Sequence, residues 1–346
     1  MTKKTEKRRS ESAGLFHFGK EMASALLMAL IAIVYVIQAF RIPTGSMEKS
    51  LLVGDFLLGL KFIYGAPVLP FNSFGTYAKF PGITDPKTGD VIIFRYPGTD
   101  KKDYIKRCVA GPGQTIEIKG AEVKVDGKPV ALPPKGQYLN NGNVPFEKIR
   151  NFAPLRIPKK GDKIKISDLP VREFHFLKTL VHQENPLKEV KTEYQLYVDG
   201  EYVNSFSFDK VDIWAVVDQK ISYVKMEMAR RAPDKTIAIR KLLYLDGERL
   251  TEYTVKNDNY FMLGDNRDNS TDSRFWGYLN RNFVKAKAFI LYFSLDKEVP
   301  FYLLPMKIRW DRIGMLIQPW NGRVSVRPHE RAMMLDAGRW LLDPYS

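Results

Sequence analysis

Two short segments carry a serine and a lysine whose pairing could support nucleophilic catalysis. Ser46 lies in residues 41–47 (RIPTGSM), where Pro43 and Gly45 favour an irregular, turning backbone. A serine hydroxyl attacks an amide only when a base beside it takes its proton. Taken alone, this segment is equally typical of a turn or a helix cap.

Lys106 lies in the strand-like segment DYIKRCVA (103–110), and a lysine acts as a base only when its amine is neutral. The two-residue period of a strand places Tyr104, Lys106 and Cys108 on one face. An unperturbed lysine has a pKa of about 10.4 and is protonated at pH 7. Burial among apolar neighbours disfavours the ammonium form and lowers that pKa. Without such burial, the same segment fits a lysine on a solvated strand face.

A third segment, GDNRDNSTDSRFWG (264–277), is unusually dense in polar side chains. It follows the apolar run YFML (260–263). The ligand spacing of an EF-hand and its closing glutamate are absent, so a calcium loop of that kind is disfavoured. By itself the segment is typical of a surface loop.

Composition excludes several classes of protein. The chain has 346 residues, of which 45% are hydrophobic, and this excludes a mostly disordered protein. A single cysteine, Cys108, excludes an intramolecular disulfide and any multi-cysteine metal site. The four histidines are scattered, so we expect no metal and no other cofactor. The net charge of +15 suggests an acidic partner, either anionic lipid or nucleic acid. No RNP-like or helix-turn-helix pattern appears, so we expect no nucleic-acid partner.

The N-terminus predicts a membrane anchor over residues 21–40. Residues 22–40 (MASALLMALIAIVYVIQAF) carry no charge, and a helix of that length spans roughly 28 Å, close to the thickness of a bilayer core. A cleaved signal peptide usually has a shorter apolar stretch that ends in small residues, whereas this stretch ends in bulky ones. A buried core helix is the other alternative. Because residues 1–20 are basic, the positive-inside rule places them in the cytoplasm and the rest of the chain on the outer face.

The quoted segments are more specific when their order along the chain is considered than when each is taken alone. IPTGSM, LLVGDF, GDVIIFRYP, DYIKRCVAGPG and GDNRDNSTDSRFWG follow an N-terminal anchor in this order. In that arrangement they resemble the bacterial type I signal peptidases, membrane-bound serine proteases that remove signal peptides from exported proteins. The resemblance fades over residues 120–255, where the family varies most in length. It implies a location in the bacterial inner membrane, with signal peptides of exported preproteins and membrane lipid as partners.

The resemblance also implies a Ser/Lys dyad instead of a Ser-His-Asp triad. Ser46 matches the nucleophile. Lys106 matches the general base, which takes the serine proton and later passes one to the leaving amine. The backbone N–H of Ser46 and the hydroxyl of Thr44 match the donors that stabilise the oxyanion.

Supporting residues follow from the same resemblance. Ser270 matches a serine that hydrogen-bonds to the lysine and orients it, and Asp272 and Arg274 match a structural ion pair near the site. Small substrate side chains, typically Ala-x-Ala before the cut, are expected in shallow pockets. Six residues match pocket positions, although each also fits core packing: Ile42, Pro43, Met47, Leu51, Tyr104 and Ile105.

One departure from the family lies directly after the nucleophile. The family usually has x-Pro-Thr-Leu after Ser-Met, whereas this chain has Glu48-Lys49-Ser50-Leu51. The loss of the proline is expected to loosen the turn behind Ser46.

We predict a mainly β fold of coiled antiparallel sheets or a barrel, with one N-terminal transmembrane helix. Short alternating runs and Asp-Gly pairs at 126–127, 199–200 and 246–247 indicate strands and hairpins. The catalytic β-domain is assigned to residues 41–119 and 256–312, a β-rich insertion to 120–255, and a C-terminal tail to 313–346.

Two other functions fit part of the pattern. The chain could be a dedicated processing peptidase for a pilin or a secretion-system substrate. Alternatively, it could be a non-enzymatic anchored module whose basic surface binds lipid or a partner, although every catalytic residue type is present.

Overall fold

The structure is a computed structural model that describes residues 2–68, 79–98, 102–138 and 150–320, with the backbone alone for residues 2–16. Most of the predicted tail, residues 321–346, lies outside the described residues. The helices are α1 (Thr2–Ile31), continued by a π-helical turn (Ala32–Val36), α2 (Val171–Glu184), α3 (Trp214–Arg231), α4 (Ser273–Trp276) and α5 (Leu304–Lys307). Short 3₁₀ turns cover Gly45–Met47, Arg281–Phe283, Phe301–Leu303 and Trp310–Arg312.

Seventeen strands lie within the described ranges. The first eight are β1 (Ile37–Arg41), β2 (Asp55–Leu60), β3 (Val91–Arg95), β4 (Asp103–Ala110), β5 (Thr115–Lys119), β6 (Glu122–Val125), β7 (Lys128–Val130) and β8 (Phe152–Arg156). They are followed by β9 (Lys163–Lys165), β10 (Val190–Val198), β11 (Glu201–Phe206), β12 (Ile237–Leu245), β13 (Glu248–Leu250), β14 (Glu252–Thr254), β15 (Asn259–Leu263), β16 (Leu279–Asn280) and β17 (Val284–Ser294).

The main sheet has seven strands in the order β1-β2-β17-β3-β4-β15-β16, and every pairing in it is antiparallel. Its order brings strands from the start of the chain next to strands from residues 259–294. The predicted mainly β fold with an N-terminal helix is therefore confirmed. The sheet joins the three chemically interesting segments, which are far apart in the sequence.

The apolar N-terminal segment is helical, but its helix ends four residues before the predicted end of the anchor. Among the described residues, one helix, over His17–Val36, is long and apolar enough to cross a membrane, and none of it is buried. The last predicted anchor residues instead belong to β1, which pairs with β2 from Ile37↔Leu60 to Arg41↔Phe56. Backbone pairing with β2 therefore overrides the continuation of the apolar helix.

Lys61 closes the end of that helix. Its Nζ donates to the carbonyl oxygens of Ile33 and Val34 at 3.0 and 3.1 Å. The last carbonyls of a helix have no partner within the helix, so a lysine placed there satisfies them. The end of the apolar helix is in this way fastened to the turn that follows β2.

Residues 120–255 contain the predicted hairpins and two helices that the sequence analysis did not predict. Positive φ angles at Asp126-Gly127, Asp199-Gly200 and Asp246-Gly247 are those of tight hairpin turns. The turns join β6 to β7, β10 to β11 and β12 to β13. Helix α2 buries its apolar side chains at helical spacing, but aromatic residues among them resemble a strand pattern.

The predicted boundary between residues 119 and 120 falls within the hairpin of β5 and β6. These strands form a second sheet, ordered β7-β6-β5-β8, and β10–β13 form a third, ordered β11-β10-β12-β13. One apolar core unites both parts, since Val109 and Phe261 of the main sheet pack in the same core as Phe174 of α2. The insertion therefore shares its core with the main sheet.

The start of the predicted tail also belongs to the β-domain. Met315 and Ile317 exchange backbone hydrogen bonds with β17, at 3.0 Å to Leu291 and 2.7 Å to Phe289. Trp320 N donates to the Gly89 carbonyl at 3.0 Å. Residues 313–320 therefore lie along the main sheet.

A buried ion pair fastens this C-terminal segment to the start of β2. Arg312 donates to both carboxylate oxygens of Asp55, at 3.0 and 2.6 Å. Ser294 Oγ donates to the same carboxylate at 2.7 Å. Asp55 is fully buried and Arg312 nearly so.

We expect Arg312→Met to destabilise the protein because it leaves the buried Asp55 carboxylate with only the more distant Arg309, at 4.0 Å, as a cation. Breaking a buried pair from one side costs about 3 kcal/mol or more. The melting temperature of the purified full-length protein should fall by several degrees, whereas Arg230→Met, at an exposed arginine of α3, should change it little. Equal melting temperatures for the two variants would contradict this assignment.

Candidate active site

The sheet brings Ser46 and Lys106 into contact across 60 residues of sequence. Ser46 lies in the 3₁₀ turn that follows β1, and Lys106 lies in β4. The Lys106 Nζ donates to Ser46 Oγ at 2.7 Å and to the Ile105 carbonyl at 3.1 Å. The two side chains that the sequence analysis predicted as a dyad are within hydrogen-bond reach.

The amine of this pair is withdrawn from water. Lys106 is 3% exposed, and the Tyr104 ring centroid lies 5.3 Å from its Nζ. Burial lowers the pKa of Lys106 to about 8, while Asp272 and Asp265 act to raise it and Arg274 acts to lower it. Near pH 8, a substantial fraction of this amine is therefore neutral and able to accept a proton.

Strand β4 presents the predicted faces. Tyr104 and Cys108 belong to one apolar core, and Lys106 contacts the Tyr104 ring on that side. Ile105 and Val109 instead pack in two other apolar clusters. The alternation that the sequence predicts for this strand is therefore present.

The loop over residues 264–277 carries a buried ion pair beside the dyad. Arg274 donates to Asp272 through Nε at 2.8 Å and through Nη2 at 2.9 Å. Gly264 N also donates to the Asp272 carboxylate at 3.0 Å. Burial acts to raise the pKa of Asp272, but the charge and hydrogen bonds of Arg274 outweigh it and hold the pKa below its usual value. Asp272 therefore carries its charge.

Ser270 lies next to the nucleophile turn. A Cβ on Gly264 would lie 2.2 Å from Ser270 Oγ and 2.6 Å from the Ser46 carbonyl oxygen, so only glycine fits between them. The Ser270 hydroxyl is buried and makes no hydrogen bond within the described part of the chain. The bond to Lys106 that the resemblance implies is not formed in this structure, and the orienting role of Ser270 stays a prediction.

Thr44 stands exposed at the start of the nucleophile turn. Its backbone is extended, with φ −129° and ψ 156°, and its side chain does not cap the turn. The hydroxyl therefore lies at the surface two residues before Ser46. Its part in oxyanion binding stays a prediction.

The predicted pocket residues divide into core and surface. Three of them pack in the apolar core beneath the turn and expose 2% or less: Ile42, Met47 and Leu51. Pro43 is exposed, and Tyr104 and Ile105 are partly buried. Solvent therefore reaches Pro43, Tyr104 and Ile105 in this structure. Substrate contact by any of the six stays a prediction.

A second buried ion pair near the site was missed by the sequence analysis. Arg107 donates to Asp265 through Nε at 2.8 Å and through Nη2 at 2.7 Å. Its Nη1 donates to the Gly89 carbonyl at 2.8 Å. Asp265 stands in the polar segment 264–277, but no local pattern indicates a partner 158 residues away.

Asn266 was also missed, although it makes direct contact with the nucleophile turn. Its backbone N–H donates to the Ser46 carbonyl at 3.1 Å. Its side-chain Nδ2 donates to the Gly45 carbonyl at 3.0 Å and to Glu48 Oε2 at 3.2 Å. Asn266 is fully buried, so these bonds fix the turn from its inner side.

The insertion supports the same loop from behind. Trp214, the first residue of α3, donates through Nε1 to the Arg274 carbonyl at 2.7 Å. Phe176 of α2 packs so closely on Gly277 that a Cβ there would lie 2.5 Å from the ring. The described residues hold no group of three or more His, Cys, Asp or Glu side chains that could bind a metal ion.

The chain is similar to known proteins of one peptidase family. The sequence model described as signal peptidase, peptidase S26, matches residues 15–293. A signal peptidase I of Aquifex aeolicus is 27% identical over 88% of this chain and 95% of its own length. That of Pseudomonas aeruginosa is 28% identical over 90% of this chain and 79% of its own length.

A signal peptidase I of Buchnera aphidicola is 29% identical over 87% of this chain and 82% of its own length. The crystal structure of a signal peptidase I from Enterococcus faecalis aligns with 60% of this chain and 98% of its own, at 16% identity and a TM-score of 0.22. Because the family model covers most of the sequence, the chain belongs to the signal peptidase family, peptidase S26.

Proposed function

We propose that this protein is a signal peptidase I, which removes N-terminal signal peptides from exported preproteins after a small-x-small motif. Membership of a peptidase family supports the reaction class. The observation that carries the proposal is the 2.7 Å contact between Lys106 Nζ and Ser46 Oγ in a buried setting. We assign the nucleophile to Ser46 and the general base to Lys106.

The proposed reaction has two steps. Neutral Lys106 takes the hydroxyl proton of Ser46 while Oγ attacks the scissile carbonyl carbon, and the tetrahedral intermediate then expels the amine of the mature protein. That amine leaves with the proton from Lys106, and the signal peptide remains as an ester on Ser46. Lys106 next deprotonates a water molecule, which attacks the ester carbon and releases Ser46 with its proton restored.

Charge that develops on the carbonyl oxygen needs donors that are already in place. We assign this role to the backbone N–H of Ser46 and the hydroxyl of Thr44. The exposure of Thr44 beside the turn supports the assignment.

We assign supporting roles to the loop over residues 264–277. Ser270, buried next to the turn, orients the Lys106 amine, and its hydroxyl is available for this because it has no other partner among the described residues. Asp272 and Arg274 hold the loop in place. None of the three takes part in a covalent step.

An extended substrate would lie across the accessible residues Pro43, Tyr104 and Ile105, with its backbone fixing the register and its small side chains entering shallow pockets. Ile42, Met47 and Leu51 lie beneath this surface and shape it from within the core. Alanine at the first and third positions before the cut fits such pockets because its side chain needs little depth.

The helix over His17–Val36 serves, in this proposal, as the anchor in the bacterial inner membrane. The basic N-terminus lies in the cytoplasm, and the β-domain lies on the outer face, in contact with membrane lipid. The apolar composition of the helix and its lack of burial support the assignment. The domain division at residues 41–119, 120–255 and 256–312 remains part of the proposal for the catalytic domain and its insertion.

Ser46→Ala and Lys106→Ala should each lower cleavage of a preprotein by at least about a thousandfold, because either change removes a reacting group. The measurement is the single-turnover rate of the full-length protein in detergent. Ser207→Ala and Lys119→Ala, at exposed positions, are the matched controls and should retain activity. Wild-type rates in either dyad variant would disprove the mechanism. A panel of unrelated exported preproteins would also reveal a dedicated enzyme, which cuts only one of them.

The pH dependence of kcat/KM should report the protonation state of the Lys106 amine. Burial lowers the pKa of Lys106 from 10.5 to about 8, so the amine becomes neutral, and therefore competent as a base, as the pH rises through that value. We expect kcat/KM to increase tenfold per pH unit below about 8 and to level off above it. A limb that continues to rise to pH 10 would show that Lys106 is not desolvated. Circular dichroism at each pH verifies that the protein stays folded.

A further inference from the structure

The turn behind the nucleophile has an unusual backbone. Ser50 N and Leu51 N both donate to the Met47 carbonyl, at 3.0 and 2.7 Å. Lys49, at the tip of this turn, has a φ of 68°. That left-handed conformation is unfavourable for a residue with a side chain, and a proline ring, which fixes φ near about −65°, cannot adopt it.

A strained turn needs bonds from outside to keep one conformation. Asn266 supplies them through its backbone bond to the Ser46 carbonyl and its side-chain bonds to Gly45 and Glu48. The Gly45 carbonyl and the Glu48 carboxylate are both hydrogen-bond acceptors, so the nitrogen of the Asn266 side-chain amide, and not its oxygen, faces them. The orientation of the Asn266 amide therefore depends on these two acceptors.

Glu48 is the only one of these partners that is a side chain. Its carboxylate folds back over Gly45, where a Cβ would lie 3.2 Å from Glu48 Oε2. The absence of a side chain at Gly45 leaves room for this contact. A bond from an amide to a carboxylate is stronger than one between neutral groups, so it fixes the direction of the amide.

We propose that Glu48 is a positioning residue for Ser46. Its carboxylate holds the Asn266 amide against the Gly45 carbonyl, and this bond fixes the turn that carries the nucleophile. In this turn, the Glu48 side-chain bond and the left-handed backbone of Lys49 provide the rigidity that a proline would otherwise give. The proposal rests on the proposed function, since it needs Ser46 as the nucleophile.

The left-handed conformation of the turn has its own test. Lys49→Pro should lower kcat by tenfold or more, because proline forces the turn onto another path, whereas Lys49→Gly should stay within twofold of wild type because glycine adopts positive φ easily. Melting temperatures of both variants separate a local change from unfolding. A fully active Lys49→Pro protein would contradict the turn conformation.

Glu48→Ala should lower kcat about tenfold and change KM less than twofold, because the attacking atom is displaced while the substrate surface stays intact. Glu48→Gln retains an acceptor for the Asn266 amide and should keep kcat within threefold. Glu201→Ala, at an exposed glutamate of β11, is the matched control. The measurements are kcat and KM for a preprotein with the full-length enzyme, and melting temperatures verify folding.

A double-mutant cycle tests the route through Asn266. In an Asn266→Ala background, Glu48→Ala should cause no further loss of kcat. Wild-type kcat in Glu48→Ala, equal losses in the Ala and Gln variants, or additive losses in the double variant would each overturn the proposal. Cleavage that survives Ser46→Ala would instead overturn the proposed function, so the two failures are distinguishable.

Discussion

The site depends on a lysine amine that is removed from water while two carboxylates lie near it. Burial lowers the pKa of Lys106, but Asp272 and Asp265 act in the opposite direction. Each carboxylate is paired with its own arginine, Arg274 or Arg107. Desolvation is the largest of these effects and Arg274 acts in the same direction, so the pKa of Lys106 is lowered overall. The pairing of Asp272 with Arg274 thus helps to keep the Lys106 amine neutral near pH 8.

Such pairs contribute little net stability, because removing both charges from water costs about as much as their attraction returns. Their contribution here is geometric. The loop over residues 264–277 carries Asp265, Asp272 and Arg274, and it also carries Asn266, which holds the nucleophile turn. One loop therefore sets both the electrostatic environment of the amine and the position of the serine. Trp214 of α3 fixes that loop by donating to the Arg274 carbonyl, so this helix is part of the site's support.

The sequence predicted the contact between Ser46 and Lys106 better than it predicted the residues around them. Ser46 and Lys106 were predicted from motifs, and the hairpins from Asp-Gly pairs, because these signals are local. The partnership of Arg107 with Asp265 was not predictable in the same way, since it joins residues 158 apart through the order of strands in the sheet. Helix α2 was missed because its aromatic residues suit a strand as well. The anchor's end was misplaced because pairing with β2 competes with helix formation.

The early end of the helix fixes the position of Ser46 relative to the apolar segment. Strand β1 begins at Ile37, directly after the apolar helix, and its five residues span about 17 Å. Since β1 is hydrogen-bonded to β2 along its length, and Lys61 of the next turn holds the helix end, the path from helix to Ser46 is stiff. An anchor in the membrane would thus hold Ser46 at a set height above the lipid. In the function proposed above, a substrate held in the same bilayer by its own apolar segment would present to Ser46 the peptide bonds at that height.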